Sequence, residues 1–113
     1  MLIIDQNTTS DFTIPMKDYF SNFNARNSMV VEITIGKGNE QTRHLWYNAN
    51  KSKSTMTYNS TSDSFTMRLT QEETVKWKYQ VPIQIRVKEL DGTITRSDLF
   101  YAYINPSLSN EVL

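Results

Sequence analysis

The sequence predicts an all-β protein, an antiparallel sandwich of about seven strands with one short helix near residues 70–77. Apolar and polar residues alternate along several short segments, as in strands that bury one face. Clusters rich in Gly, Asn, Ser and Lys separate these segments at intervals of roughly 8 to 12 residues, the spacing typical of sandwiches. A chain of 113 residues is long enough to bury a core, so we expect a single domain over residues 1–113.

The clearest strand pattern lies at residues 81–88, VPIQIRVK. Its odd-numbered residues are branched and apolar and are expected to face the core, whereas its even-numbered residues face outward. The same alternation predicts further inward-facing residues: Phe12 and Ile14; Val31, Ile33 and Ile35; Phe65, Met67 and Leu69. The segments RHLWYN and STMTY are rich in aromatic and β-branched residues and complete the predicted strands.

A hairpin is predicted around Asp91 and Gly92, and its loop length decides which side chains share a face. A two-residue loop would turn Arg96 and Asp98 into the core, and burying unpaired charges costs several kcal/mol. We therefore predict a three-residue loop at residues 90–92, with Gly92 in a left-handed bulge. This register places Ile85 opposite Ser97, Ile83 opposite Leu99 and Val81 opposite Tyr101.

The last strand carries an apolar row whose direction follows from this register. The predicted inward residues are Leu99, Tyr101 and Tyr103, and the outward ones Phe100, Ala102 and Ile104, with Pro82 opposite Phe100. A soluble monomer rarely leaves such a row exposed. Two explanations stay open: cover by the N-terminal LII segment or the C-terminal tail, and a subunit interface.

The segment RLTQEETVKW, residues 68–77, contains the adjacent acidic residues Glu72 and Glu73 and ends at Trp77, which stands between Lys76 and Lys78. Thr70 and Glu73 have the spacing of a capping box, and Glu72 and Glu73 in the first turn complement the helix dipole. Adjacent residues on a helix point about 100° apart. We therefore interpret the two carboxylates as a helix start and not as an acid–base pair.

Composition excludes several classes of protein. The absence of cysteine excludes disulfides and thiolate metal sites. Twelve Lys and Arg residues balance twelve Asp and Glu residues, which indicates no nucleic-acid or membrane partner. The N-terminus lacks the basic start and apolar run of a signal peptide, and no segment reaches the ~18 apolar residues of a membrane span. We expect synthesis as a soluble protein in the cytoplasm.

Residues with catalytic or ligand chemistry are sparse. His44 is the only histidine, and one histidine without cysteines or an acidic cluster at ligand spacing does not predict a metal centre. No serine lies in a nucleophile elbow, and GKG lacks the spacing of a phosphate-binding loop. We expect no catalytic residue, no metal and no cofactor, and hence a protein that is not an enzyme.

Four aromatic residues, Trp46, Tyr47, Trp77 and Tyr79, leave two interpretations open. On a sandwich surface, Trp and Tyr rings can stack on the apolar faces of sugars, which would indicate glycan binding. Alternatively they belong to the core or to a protein contact, and at least one Trp is expected to be buried, as is common in sandwiches.

Three segments of the second half carry a family resemblance: SFTMRLTQEETVKW, then VPIQIRVKELDGTITRSD, then a strand ending in INPSL. In this order, over residues 54–113, they resemble small proteins of phages and prophages of Gram-positive bacteria and the N-terminal domain of siphophage upper baseplate proteins. The first half is similar only in strand order. The resemblance implies an immunoglobulin-like sandwich that serves as a virion or assembly component.

The resemblance and the outward row together lead us to expect a structural protein of the phage virion, in the tail, baseplate or neck. It would act through contacts with other phage structural proteins and with copies of itself. The candidate contact residues are Phe100, Ala102, Ile104, Pro82, Trp46 and Trp77. The alternative is a carbohydrate-binding module that uses surface Trp and Tyr residues.

Overall fold

The computed structural model describes residues 1–113 and confirms the all-β sandwich, with nine strands where about seven were predicted. The strands are β1 (Ile3–Asp5), β2 (Ser10–Pro15), β3 (Ser28–Ile35), β4 (Thr42–Tyr47), β5 (Met56–Asn59), β6 (Ser64–Leu69), β7 (Gln80–Glu89), β8 (Ile94–Arg96) and β9 (Phe100–Asn105). The α-helices are α1 (Met16–Tyr19) and α2 (Gln71–Thr74), and short 3-10 helices lie at Ala25–Asn27, Gly38–Glu40 and Lys51–Lys53.

The strands form two sheets. The larger sheet has the order β1-β9-β7-β3-β4, with β8 also paired to β7, and the smaller sheet has the order β2-β6-β5. Every pairing is antiparallel except that of β1 with β9. With β2, β3, β4, β5, β6, β7 and β9 taken as strands B, C, C′, D, E, F and G, this is the strand order of an immunoglobulin-like sandwich.

A core of 20 buried apolar residues fills the space between the sheets. It contains every inward residue that alternation predicted on β2, β3, β6 and β7, so these predictions are confirmed: Phe12, Ile14, Val31, Ile33, Ile35, Phe65, Met67, Leu69, Val81, Ile83, Ile85 and Val87. Full burial of such a side chain contributes about 1.5–3 kcal/mol, which makes the inter-sheet layer the main source of stability.

The hairpin between β7 and β8 has the predicted three-residue loop. The Glu89 amide donates to the Thr93 carbonyl at 2.8 Å, which leaves residues 90–92 as the loop. Gly92 has a φ of 93°, in the left-handed region that favours glycine. The register continues as predicted through Thr95, which pairs with Val87.

The predicted register holds through β8 but is wrong for β9, because one extra residue is inserted between these two strands. Ile85 stands opposite Ser97, but Ile83 pairs with Phe100 and Val81 with Ala102. The cause is the side chain of Ser97, whose hydroxyl accepts the Ile85 amide at 3.0 Å in place of a backbone carbonyl. A bulge of this kind reverses the direction of every later side chain.

The N-terminal segment LII was not predicted as a strand, yet it forms β1 beside β9. Its pairing is parallel, with Ile4 opposite Ile104. Leu2 and Ile4 are buried in the core while Ile3 faces outward. The segment therefore extends the larger sheet edge to edge and does not lie across its outer face.

Helix α2 confirms the predicted cap but ends earlier than predicted. The Glu73 amide donates to the Thr70 hydroxyl, and the Thr70 amide donates to the Glu73 carboxylate at 2.8 Å, so both halves of the capping box are present. The helix covers only residues 71–74 of the predicted 70–77. It closes the corner between β6 and β7.

Candidate functional site

The apolar row predicted to face outward on β9 faces the core, so its predicted direction was wrong. Ala102 and Ile104 are buried, and Phe100 packs against the core cluster. The Phe100 ring stacks on Tyr19 of α1 with ring centroids 4.1 Å apart, so the chain itself covers it. The bulge at Ser97 is the physical reason, because it exchanges the two faces of the strand.

Both tryptophans are buried, which confirms the expectation for at least one and removes both rings from the surface. Trp46 packs edge-on against Phe65 with ring centroids 5.6 Å apart. The Trp77 ring donates its N–H to the Glu40 carbonyl at 3.0 Å. Neither ring is free to stack on a sugar, whereas Tyr79 is 86% exposed.

The outer face of the larger sheet carries a different exposed row, formed by Ile3, Leu99, Tyr101 and Tyr103, which we name the tyrosine row. Each of the four keeps between 46 and 57% of its surface exposed. Ile3 pairs with Tyr103 across the parallel ladder, so the two side chains are neighbours. Pro82 faces the same way and lies opposite Tyr101, where Phe100 was predicted. β9 therefore does present apolar side chains on the outer face, but they are the ones that were predicted to face the core.

The outer face of the smaller sheet differs in character. Thr13 and Thr66 share a hydrogen bond of 2.8 Å between their hydroxyls. Asp11 and Arg68 form an exposed ion pair at 3.6 Å. Such a face is typical of a solvated surface, which leaves the larger sheet as the candidate contact face.

At the centre of the larger sheet, the buried carboxylate of Glu32 on β3 is held between two arginines from neighbouring strands. Arg86 stands directly opposite on β7 and donates twice, from Nε at 2.5 Å and from Nη2 at 3.0 Å. Arg43 on β4 donates to the same carboxylate through Nε. Hydrogen bonds from Arg86 lower the pKa of Glu32, against the opposing effect of burial, and Arg43 lowers it further. The carboxylate is therefore charged over the physiological range.

These three residues line a groove of about 510 Å³ on the outer face. Lys37 adds a third cation to its wall, and Tyr101 forms part of its apolar side. Sequence reasoning missed this group. Glu32 and Arg86 did carry a signal, since both fall on outward positions of strongly alternating strands, but a single sequence does not give the register that brings them together.

A second groove, of about 560 Å³, lies at the end of β7 and β9. Tyr79 and Tyr103 line it together with Gln80 and Lys78. Tyr79 has a φ of 65°, uncommon for a residue with a side chain, and its carbonyl accepts the Ile104 amide at 2.8 Å. This hydrogen bond ties the strained turn to β9 and presents the phenol ring to solvent.

His44 is buried on the inner side of β4, near α2. Its Nε2 lies 3.7 Å from a carboxylate oxygen of Glu73. Burial lowers the pKa of His44, while the Glu73 carboxylate acts in the opposite direction. Neutral imidazole is consistent with a packing role. No group of three or more His, Cys, Asp or Glu side chains is placed to hold a metal ion.

Comparisons with protein-family models and with curated proteins find no match to this chain. The helices have at most four residues each, and none of them could span a membrane. On its exposed residues and its geometry, the candidate site is the outer face of the larger sheet. There the tyrosine row adjoins the groove lined by Glu32, Arg43 and Arg86, which we name the Glu32 groove.

Proposed function

We propose that this protein is a non-enzymatic structural or assembly component of a phage or prophage virion, in the tail, baseplate or neck. It acts through protein–protein contacts, with other phage structural proteins and with copies of itself, made by the outer face of the larger sheet. The observation that carries this proposal is the tyrosine row, an exposed apolar strip on the outer face of one sheet, whereas the outer face of the other sheet is polar.

Two further observations support the proposal. The resemblance of residues 54–113 to small phage and prophage proteins points to a virion role. The formal net charge of zero also favours repetitive assembly, because copies of a neutral protein do not repel one another strongly.

Sedimentation over a range of concentrations tests the contact face. We expect the protein to associate as its concentration rises. A lysine at Tyr103 would place a charge in the tyrosine row, so Tyr103→Lys should weaken association about tenfold or more. The matched control is Thr57→Lys on the polar outer face of the smaller sheet, which adds the same charge and should leave association unchanged. A monomer at every concentration, encoded among metabolic genes, would rule the proposal out.

A carbohydrate-binding module is the second candidate, and Tyr79 and Tyr103 around the second groove favour it. Lys78, Gln80 and Asn110 supply polar groups in the same groove, and sugar sites combine aromatic faces with such groups. Glycan-array binding that is lost in Tyr79→Ala and kept in Tyr47→Ala would favour this candidate. Because both tryptophans are buried, it rests on tyrosines alone.

A further inference from the structure

We infer that the Glu32 groove binds the carboxylates of an extended acidic segment in a partner protein. This inference rests on the proposed function, because it names the chemistry of the partner at the same face. It is carried by an excess of positive charge in the groove, by the fixed positions of two guanidinium groups, and by apolar side chains along one wall.

The groove is positively charged, although the chain as a whole has a formal net charge of zero. Lys37, Arg43 and Arg86 line it, and Glu32 is its only acidic residue. One carboxylate does not neutralise three cations, so a net positive charge remains within a concave surface. Such a surface attracts anionic ligands more strongly than the same charges spread over a flat one.

The two arginines are held in place before any ligand binds. The Glu32 side chain is only 8% exposed, and its carboxylate accepts from both guanidinium groups. Arg43 uses only its Nε in this contact, so its two terminal amino groups remain free to donate. An arginine fixed in this way loses less conformational entropy on binding a carboxylate than a mobile one.

The shape and chemistry of the walls favour a peptide over a nucleic acid. Leu99, Tyr101 and Pro82 line one side and suit the apolar side chains of a peptide. Three cations in one groove of a neutral protein are also far from the basic stripe that tracks a nucleic-acid backbone.

The test is a titration of the ¹⁵N-labelled full chain with acetylated, amidated Glu-Leu-Glu-Leu, followed by chemical shifts. We expect shifts at Arg43, Arg86 and Lys37, and the matched peptide Gln-Leu-Gln-Leu should bind about tenfold more weakly. Raising the salt concentration should weaken binding, because the pairing is electrostatic and partly exposed. Equal binding of the two peptides would overturn the inference, as would tighter binding of an octathymidine strand.

Variants of residues that line the groove test whether the Glu peptide binds there. Arg43→Gln should weaken binding of the Glu peptide about tenfold. Lys37→Gln should weaken it about threefold, and since Lys37 makes no contact with Glu32, this variant remains informative if Arg43→Gln perturbs the fold. Arg68→Gln, which removes an exposed arginine on the opposite sheet, should have no effect. If neither groove variant changes the affinity, the peptide binds elsewhere and the inference is wrong.

The outcome is separable from that of the proposed function. Loss of self-association in Tyr103→Lys tests the contact face without any peptide. A protein that associates through the tyrosine row but ignores the acidic peptide would keep the proposed function and lose only the assignment of the groove.

Discussion

His44 Nε2 lies 3.7 Å from Oε2 of Glu73, the residue whose Oε1 accepts the Thr70 amide at the start of α2. The single histidine of the chain thus connects β4 of the larger sheet to the helix that follows β6 of the smaller one. The contact is inside the fold, because His44 is buried. Its protonation state is therefore linked to folding and not to surface chemistry.

Stability should fall on acidification below the ordinary histidine pKa of 6.5. Burial lowers the pKa of His44 in the folded state, so the unfolded chain takes up the proton first. The stabilising effect of the neutral side chain is complete above 6.5 and is lost as the pH falls from there toward the lowered folded-state pKa. The free energy of unfolding should decrease by at most about 1.4 kcal/mol per pH unit, the limit for one proton.

Urea unfolding at a series of pH values measures this slope. The control is His44→Gln, which has no proton to take up in this range and should show a flat profile above the carboxylate region. An unchanged slope in the variant would mean that the pH dependence comes from another group.

How far the sequence predicted the fold depends on which interactions set each element. The strands at Val31–Ile35 and Val81–Val87 were predictable because alternation records burial directly. The capping box at Thr70 was predictable because its partners lie three residues apart. The hairpin loop at residues 90–92 followed from the cost of burying charge.

The direction in which the β9 side chains point was not predictable by the same reasoning. It depends on one hydroxyl, that of Ser97, taking the place of a backbone carbonyl opposite Ile85. Alternation read through the bulge gave the wrong face for Tyr101 and Ala102. The Glu32 groove was missed for a related reason, since Glu32 and Arg86 lie 54 residues apart and meet only through the register of β3 and β7.

Thr70→Ala should destabilise the protein by about 1 kcal/mol, because it removes the hydroxyl that caps α2. The Glu73 carboxylate also loses the hydroxyl that donates to it at 3.0 Å. The free energy of unfolding in urea checks this loss. Glu72→Gln is the matched control, since Glu72 is exposed and should change stability by only a few tenths of a kcal/mol. Equal losses in the two variants would argue against the cap.

Glu32→Ala should lower the free energy of unfolding by about 1–3 kcal/mol, since it leaves two arginines without their buried partner. Arg68→Ala breaks only an exposed ion pair with Asp11 and should cost about 0–1 kcal/mol. Urea unfolding near neutral pH compares the two variants.

The lowered pKa of Glu32 adds a test of pH dependence. The stabilisation by the Glu32 carboxylate is present above the unfolded pKa of 4.5 and is lost as the pH falls through the lower folded value. Glu32→Gln should lack that acid-dependent loss.

Gly36→Ala should be among the most destabilising single-methyl additions, at about 2–4 kcal/mol. Gly36 has a φ of 94°, and an added Cβ would lie 2.6 Å from the Glu40 carbonyl oxygen and 3.1 Å from Trp77 Nε1. Those two atoms form the hydrogen bond that holds the buried tryptophan at 3.0 Å, so the methyl group must separate them.

Gly92→Ala separates crowding from backbone strain. Gly92 has nearly the same φ, 93°, but no atom lies within 4 Å of the added Cβ. Gly92→Ala should therefore lower the free energy of unfolding only by the cost of a side chain in the left-handed region, about 1 kcal/mol. Urea unfolding followed by circular dichroism gives both values. Equal losses in the two variants would show that the φ angle alone requires glycine at position 36 and that contact with Trp77 and Glu40 adds nothing.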